Sequence, residues 1–146
     1  AWWRANPAAR HFAGLKISQD RALQALGWGV RFVDLDPAAP GLVIGAPDAL
    51  GWGGNGGFHA INLAVNLGAR TILLAGYDMR ADNGIHWHGA HPAPLNNPTD
   101  RLLATWAAKI DAIAPQLAGL GCDVINCSAA SALAGYPKMT LAEALQ

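Results

Sequence analysis

The stretch 51-GWGGNGGFHAINLAVNLGARTILLAGYDM-79 predicts a glycine-rich turn, a helix and a buried strand in direct succession. Within the turn, Asn55 is surrounded by four glycines, Gly53, Gly54, Gly56 and Gly57. Because these residues carry so little side chain, their backbone N–H groups can come close to a ligand, and the N-terminus of the following helix favours an anion there. The turn therefore indicates a binding site for a phosphate-bearing or other polar ligand.

The helix and strand that follow the turn are both expected to be buried. The helix is predicted over residues 58–67 and is apolar almost all round, except for a narrow polar stripe formed by His59, Asn62 and Asn66. We expect His59 to be structural. Residues 70–75 are predicted as a buried strand that leads into Gly-Tyr-Asp-Met, at the edge where an α/β sheet presents its ligand-facing side.

Strand and helix patterns alternate through the rest of the chain. Further strands are predicted at 15–18, 30–35, 42–44 and 124–127. An amphipathic helix is predicted to start near Asn97-Pro98, with one face formed by Leu102, Trp106, Ile110, Ile113 and Leu117, and Pro115 should kink it or end it early. This alternation is typical of an α/β fold, a parallel sheet with helices on its faces.

The composition and charge of the chain limit its domain number and the classes of partner that it can bind. The 146 residues, 52% hydrophobic and 14% charged, suit one domain. The formal net charge is zero and no run of Lys or Arg appears, which argues against binding to duplex nucleic acid. No apolar run approaches the roughly 20 residues that span a bilayer, and no signal peptide is recognisable, so we expect a soluble cytoplasmic protein without a membrane partner.

The glycine turn also matches part of a dinucleotide fingerprint. Gly51, Gly53 and Gly56 have the spacing G-x-G-x-x-G, and Asp78 follows 22 residues after the last of them. The fingerprint requires a strand that runs directly into the first glycine, whereas residues 46–50 intervene here. A dinucleotide, a glycine turn that only lets a helix pack, and another phosphate-bearing ligand all stay open. A phosphate-bearing ligand other than a dinucleotide is the favoured interpretation, and no cofactor is predicted.

A histidine-rich loop follows the strand. Residues 80–97 form a predicted loop of about 18 residues, a length that usually indicates a function or disorder. In an extended segment His86 and His88 point the same way, and Asp78 can approach them; His91 follows closely. One histidine can act as a general base or contact phosphate; metal binding and loop packing are the alternatives. Because the spacing is not that of a typical zinc site, no metal is predicted.

Polar residues also stand at the ends of two predicted strands. Tyr77 and Asp78 follow one strand, and Asn126 and Ser128 lie at the end of another. If the strands are parallel, these four side chains share one edge of the sheet. They are predicted to contact the ligand, although polar caps without a ligand explain the same pattern.

The motifs GGNGGFHAINLAVNLGARTILLAGYDM, GIHWHGAHP, VINCS and LAEAL resemble a group of phage and prophage proteins of unassigned role. That group is similar in turn to the Rossmann-like superfamily of bacterial sialyltransferases and archaeal hydroxymethylpterin pyrophosphokinase relatives. The resemblance to the phage group covers most of residues 1–146, and the resemblance to the enzymes is distant. It implies a single Rossmann-like domain, a mostly parallel sheet with helices on both faces.

The resemblance also implies roles for individual residues. In the sialyltransferases a strand ending in Gly-Ile-Asp leads into a loop whose tyrosines contact the nucleotide phosphate, and a catalytic histidine follows. Gly76-Tyr77-Asp78 matches the strand end, and His86 or His88 is the counterpart of the histidine. Residues 80–85 contain no tyrosine, and the family's N-terminal strand and nucleotide turn have no counterpart, so we expect an upstream strand and turn to be missing.

Together these features predict a protein that binds a nucleotide or nucleotide-sugar at the carboxyl ends of its strands. The predicted catalytic residues are His86 and His88. The predicted ligand contacts are Gly53, Gly54, Asn55, Gly56, Gly57, Tyr77, Asp78, His91, Asn126 and Ser128. Three functions remain open: a glycosyltransferase-like enzyme with a histidine base, a phage protein that binds or sequesters a host nucleotide, and a virion assembly protein with a vestigial pocket. A homo-oligomer also stays open, and a phage-encoded chain is expected in the host cytoplasm.

Overall fold

The computed structural model describes residues 2–82, 84, 89–91 and 96–146, which form a mixed α/β structure. The strands are β1 (Lys16–Ser18), β2 (Val30–Phe32), β3 (Asp34–Asp36), β4 (Ala49–Gly51), β5 (Thr71–Leu74) and β6 (Asp123–Asn126). The α-helices are α1 (Trp2–Ala5), α2 (Gly56–Asn66), α3 (Asp100–Ala112), α4 (Ala114–Gly119) and α5 (Leu141–Ala144), and 3₁₀ helices cover Pro7–His11 and Arg21–Leu26. Within the described residues, the helices are too short or too polar to cross a bilayer.

The strands pair in parallel. Within the described part of the chain β1 pairs with β2, β3 with β4, and β5 with β6, each as a two-stranded sheet. Parallel neighbours need a crossover connection, and α3 with α4 lies between β5 and β6 in the chain. The predicted α/β class is therefore confirmed, with short strands in small parallel sheets.

The strand predicted over 30–35 is one extended segment that changes partner. Its first half is β2, which pairs with β1, and its second half is β3, which pairs with β4. At the change, the Val33 N–H donates to Ser18 O at 3.1 Å and the Asp34 N–H donates to Asp48 O at 2.7 Å. The segment thereby connects the first two sheets.

The strand predicted at 42–44 is wrong, because side-chain amides take the hydrogen bonds that a neighbouring strand would take. Gln116 accepts from Leu42 N at 2.9 Å and donates to Leu42 O at 3.0 Å. Asn62 accepts from Val43 N at 3.0 Å and donates to Val43 O at 2.8 Å. An amide side chain offers one acceptor and one donor group, as a peptide unit does, so the segment is satisfied without a ladder.

The core lies between the third sheet and α2, α3 and α4. Ile61, Leu74, Ile110 and Leu117 are each at most 1% exposed and belong to one apolar cluster. The predicted break at Pro115 is confirmed, since α3 ends at Ala112 and α4 begins at Ala114. The N-terminal ends of α2 and α3 border the site described below.

The predicted start and buried face of α3 need correction. The helix begins at Asp100, with Thr99 as N-cap, and not at Asn97-Pro98. Leu103 is buried in place of Leu102, which is 40% exposed. The buried row continues through Ala107, whose small side chain permits close packing, and Trp106 is left half-buried beside it.

Candidate functional site

The glycine turn opens α2, as predicted. Asn55 is the N-cap of the helix, and its Oδ1 accepts from Phe58 N at 3.0 Å. Gly54, just before it, has φ +78°, in the left-handed region that favours glycine. Capping satisfies one of the N–H groups that a helix leaves unpaired at its start, and those of Gly56 and Gly57 remain among the others.

The glycines of the turn serve different purposes. Gly53 is buried, and a Cβ there would lie 1.8 Å from Phe58 Cγ, so its lack of a side chain serves packing, and Gly53 is not among the described lining residues of the cleft defined below. A Cβ on Gly57 would lie 2.9 Å from Tyr77 Cε1. A Cβ on Gly56 would meet no described atom within 4 Å and its φ is not positive, so neither packing nor backbone geometry requires glycine there.

Tyr77 ties three segments of the chain together. Its backbone N–H donates to Ser128 Oγ at 2.8 Å, and its backbone oxygen accepts from Ser131 Oγ at 2.6 Å. Its hydroxyl donates to Gly57 O at 3.0 Å, and burial raises the pKa of this phenol. The end of β5 is thereby fixed to the turn before α2 and to the segment after β6. Tyr77 thus has an internal structural role.

Asn126 and Ser128 are at the predicted edge, but their side chains bond inward. Asn126 is 1% exposed and its Oδ1 accepts from Ser128 N at 3.0 Å. The Ser128 hydroxyl donates to Leu74 O at 3.3 Å while it accepts from Tyr77 N. These bonds occupy the Asn126 Oδ1 and the Ser128 hydroxyl in backbone contacts, whereas the Asn126 Nδ2 is buried without a hydrogen-bond partner among the described residues. The bonded groups fit the alternative of polar strand-end caps without a ligand.

A cleft of about 680 Å³ lies between the glycine turn, the end of β5 and α3. Its described walls are Gly54, Asn55, Gly56, Gly57, Gly76, Asp78, Met79, Arg80, Asp82, Gly84, Pro98, Leu103, Trp106 and Ala130. The volume is in the range of small-molecule sites. The cleft brings together five of the predicted ligand contacts: Gly54, Asn55, Gly56, Gly57 and Asp78.

Three predicted site residues remain, the histidines of the predicted 80–97 loop. His86 and His88 lie outside the described residues. His91 is half-buried and is not among the described lining residues; its backbone N–H donates to Asn97 Oδ1 at 2.8 Å and its oxygen accepts from Asn97 Nδ2 at 3.2 Å. The Asn97 amide thus joins the two ends of the 91–97 segment close to the start of α3.

The backbone after β5 has an unusual conformation that presents Asp78 to the cleft. Gly76 has φ +76° and Met79 has φ +51°, the latter uncommon for a residue with a side chain. Between them, Asp78 is held through its backbone oxygen, which accepts from Ala132 N at 2.8 Å, and the residue is exposed. Strained residues of this kind concentrate at functional sites.

Two residues that the sequence analysis did not assign to the site lie against the turn. A Cβ built on Gly54 would lie 3.3 Å from Trp106 Nε1 and 3.9 Å from Lys109 Nζ. The Lys109 ammonium has no hydrogen-bond or ion-pair partner among the described residues. The sequence signal available was their spacing of three, which puts both on one face of α3.

The cleft also contains an ion pair. Arg80 Nε donates to Asp82 Oδ1 at 2.7 Å, and Arg80 Nη2 makes a second contact with Asp82 Oδ2. Hydrogen bonding to Asp82 raises the pKa of Arg80, and the same contact lowers the pKa of Asp82. Both side chains are about half exposed, at 47% and 49%.

His59 is structural, beside the turn. Its ring centroid lies 6.3 Å from those of Trp52 and Phe58, and its Nε2 is buried without a hydrogen-bond partner among the described residues. Burial lowers the pKa of this imidazole. Folding therefore favours the neutral form of the His59 imidazole.

This burial predicts a pH dependence of stability. A histidine whose folded pKa lies below its unfolded value contributes fully above the unfolded pKa of about 6.5, and the contribution is lost as pH falls toward the folded pKa. We expect the free energy of unfolding to fall from pH 7.5 to pH 5, and to fall less in His59→Phe. Urea unfolding at both pH values measures this, with His11→Phe as a control at an exposed histidine. An equal fall in His59→Phe and wild type would contradict it.

Comparison of the chain with protein-family models, with curated proteins and with solved structures found no match. The resemblance to the phage group and to the Rossmann-like enzymes stays a prediction. The chemistry of the cleft itself is therefore the basis for assigning a function.

Proposed function

We propose that the chain binds a nucleotide-type ligand, a nucleotide or nucleotide-sugar, in this cleft, with a phosphate at the N-terminus of α2. The observation that carries the proposal is the set of anion-binding groups around the turn. Gly56 leaves the N-terminus of α2 open on the cleft side, and Lys109 and Trp106 flank Gly54. A helix N-terminus, an ammonium and an indole N–H all favour a negatively charged oxygen.

The phosphate is proposed to accept hydrogen bonds from the backbone N–H groups of Gly56 and Gly57. Lys109 supplies the charge that the backbone cannot, and as a compact point charge it suits phosphate without fixed geometry. Trp106 lines the cleft and offers either its N–H or its ring face. These groups act on the same end of the cleft, so the phosphate end of the ligand is placed there.

The cleft wall that follows β5 suits the sugar and base. Asp78 is exposed on the cleft, and a carboxylate accepts hydrogen bonds from the hydroxyls of a ribose. Met79 and Leu103 add apolar surface to the cleft. A ligand with a phosphate at one end and a hydroxyl-bearing ring at the other matches this distribution.

We also propose that the three parallel strand pairs belong to one Rossmann-like fold. Support comes from the segment 30–36, which joins β1 to β4, and from the parallel pairing of β5 with β6. Open α/β sheets bind ligands in the crevice outside the carboxyl ends of their strands. The cleft lies beyond the carboxyl end of β5, as that rule requires.

Replacing Gly56 by Val tests the phosphate position. We expect the dissociation constant of the ligand to rise about tenfold to a hundredfold, because the added side chain stands where the phosphate approaches and removes hydrogen bonds worth roughly 1–3 kcal/mol. The free energy of unfolding should change by less than about 1 kcal/mol, since the site has space and an ordinary φ. The measurement is calorimetric titration with nucleoside monophosphates and nucleotide-sugars.

Gly119→Val is the matched control. Gly119 is the last residue of α4, a Cβ there would also meet no described atom within 4 Å, and the described lining of the cleft does not include it. It should bind ligand as wild type does. If wild type binds none of these compounds, or if Gly56→Val binds them with unchanged affinity, the proposed site is wrong.

A further inference from the structure

We propose that Asp82 competes with the ligand for Arg80, and that this exchange sets how strongly the cleft prefers anionic over neutral ligands. The inference rests on the proposed function, because the exchange takes place inside the proposed binding cleft. Both residues line the cleft and are joined by two contacts between guanidinium and carboxylate.

The geometry of the pair permits exchange. The planar guanidinium presents two N–H groups side by side, and phosphate accepts them in the same bidentate way as a carboxylate does. Asp82 is two residues from Arg80, and both are about half exposed, so the carboxylate can move into solvent without disturbing the core. The guanidinium thus pairs with Asp82 in the free protein and with the phosphate in the complex.

The charges around the cleft explain why this competition affects the affinity for anions. Asp78 also lies on the described wall, and it contributes to the raised pKa of Arg80. Among the described residues, the charged side chains that line the cleft are Arg80 and two carboxylates, and Lys109 lies beside Gly54 at its border. An incoming anion therefore meets little net positive charge until it displaces Asp82. A neutral nucleoside does not need to displace Asp82, and it gains no charge attraction to Arg80.

The Arg21–Asp34 pair offers an internal comparison. Arg21 Nη2 lies 2.6 Å from Asp34 Oδ2, and the side chains are 56% and 66% exposed, so the contact has the same type and similar exposure. Arg21 also lies over the ring of Phe32 at 5.7 Å, and neither residue is among the described walls of the cleft. Asp34→Asn makes the same change in net charge away from the cleft.

The test is Asp82→Asn, which keeps the size of the side chain and removes its charge. We expect the affinity for nucleoside 5′-monophosphates and for pyrophosphate to rise about threefold to tenfold at low ionic strength, in line with the weak coupling of exposed ion pairs, and less at 0.15 M salt. Affinity for the corresponding uncharged nucleosides should not change. In an Arg80→Gln background, Asp82→Asn should give a much smaller gain.

The outcomes separate this inference from the proposed function. Nucleotide binding by wild type with no tighter binding in Asp82→Asn overturns the exchange and leaves the proposed function standing. An equal gain in Asp34→Asn also overturns it, since net charge alone would then explain the effect. Pyrophosphate binding gained in Asp82→Asn, with no nucleotide bound by wild type, supports the exchange and refutes the nucleotide. Binding by neither protein overturns both.

Discussion

Replacing Asn62 by Ala is expected to lower the free energy of unfolding by about 3–5 kcal/mol. The side chain is fully buried, and its Oδ1 accepts from Val43 N at 3.0 Å and Gly51 N at 2.8 Å. Its Nδ2 donates to Val43 O at 2.8 Å. Alanine leaves Val43 N and Gly51 N without their acceptor, while Val43 O keeps the bond from Asn66 Nδ2 at 3.0 Å. Each buried group left unpaired costs roughly 1–3 kcal/mol, and the cavity left by the side chain adds to this loss.

Equilibrium unfolding in urea measures this change. Asn66→Ala is the control on the same face of α2, one turn later. The Asn66 side chain donates to backbone oxygens, including Val43 O at 3.0 Å and Ala46 O at 3.2 Å, but it is only half-buried. Its Oδ1 is buried without a hydrogen-bond partner among the described residues, so the substitution also removes one unpaired polar atom, and we expect a loss of only about 1 kcal/mol. A stability of Asn62→Ala within 1 kcal/mol of wild type would show that water or rearrangement satisfies the buried groups.

If the bound nucleotide-sugar is turned over, His86→Ala or His88→Ala is expected to lower the turnover by roughly 10² to 10⁴ while nucleotide affinity changes little. A general base acts in the transition state and contributes little to ground-state binding. If a histidine only contacts phosphate, its loss should instead weaken binding by about 1–3 kcal/mol. That loss should be larger at pH 6 than at pH 8, because only the imidazolium donates from both nitrogens.

The assay is release of free nucleotide from a panel of nucleotide-sugars, alongside calorimetry at both pH values. His11→Ala serves as the control, since His11 is exposed and lies outside the described lining of the cleft. Wild type that binds without turnover supports a binding protein that holds a nucleotide. Equal turnover and affinity in wild type and both variants would remove His86 and His88 from the site, and an absence of any binding would favour the assembly protein.

Local patterns predicted the elements around the turn correctly. A helix was predicted directly after the glycine turn, over residues 58–67, and α2 covers Gly56–Asn66. Pro115 interrupts the helical periodicity, and the break falls between Ala112 and Ala114. Each of these signals depends on residues within about one helical turn, so no distant contact is needed to interpret it.

Contacts between distant segments account for the errors. Leu42 and Val43 have the composition of a strand, but their hydrogen bonds go to Gln116 and Asn62, which are 74 and 19 residues away. The predicted buried face of the helix is confirmed at Ile110, Ile113 and Leu117 and is wrong only in its first part, where Leu103 and Ala107 are buried in place of Leu102 and Trp106. Both sets of residues have helical spacing to Ile110, so periodicity alone does not choose between them.

By itself, then, the sequence determined the α/β class, the glycine turn with the helix after it, and the position of Asp78 after β5, because each follows from short-range backbone and side-chain preferences. Only the tertiary structure decided which polar groups face the cleft. Packing turned Asn126 and Ser128 inward, where buried backbone groups required partners. It also placed Trp106 and Lys109 beside Gly54, since the row of α3 left over after core packing is the one that faces the turn.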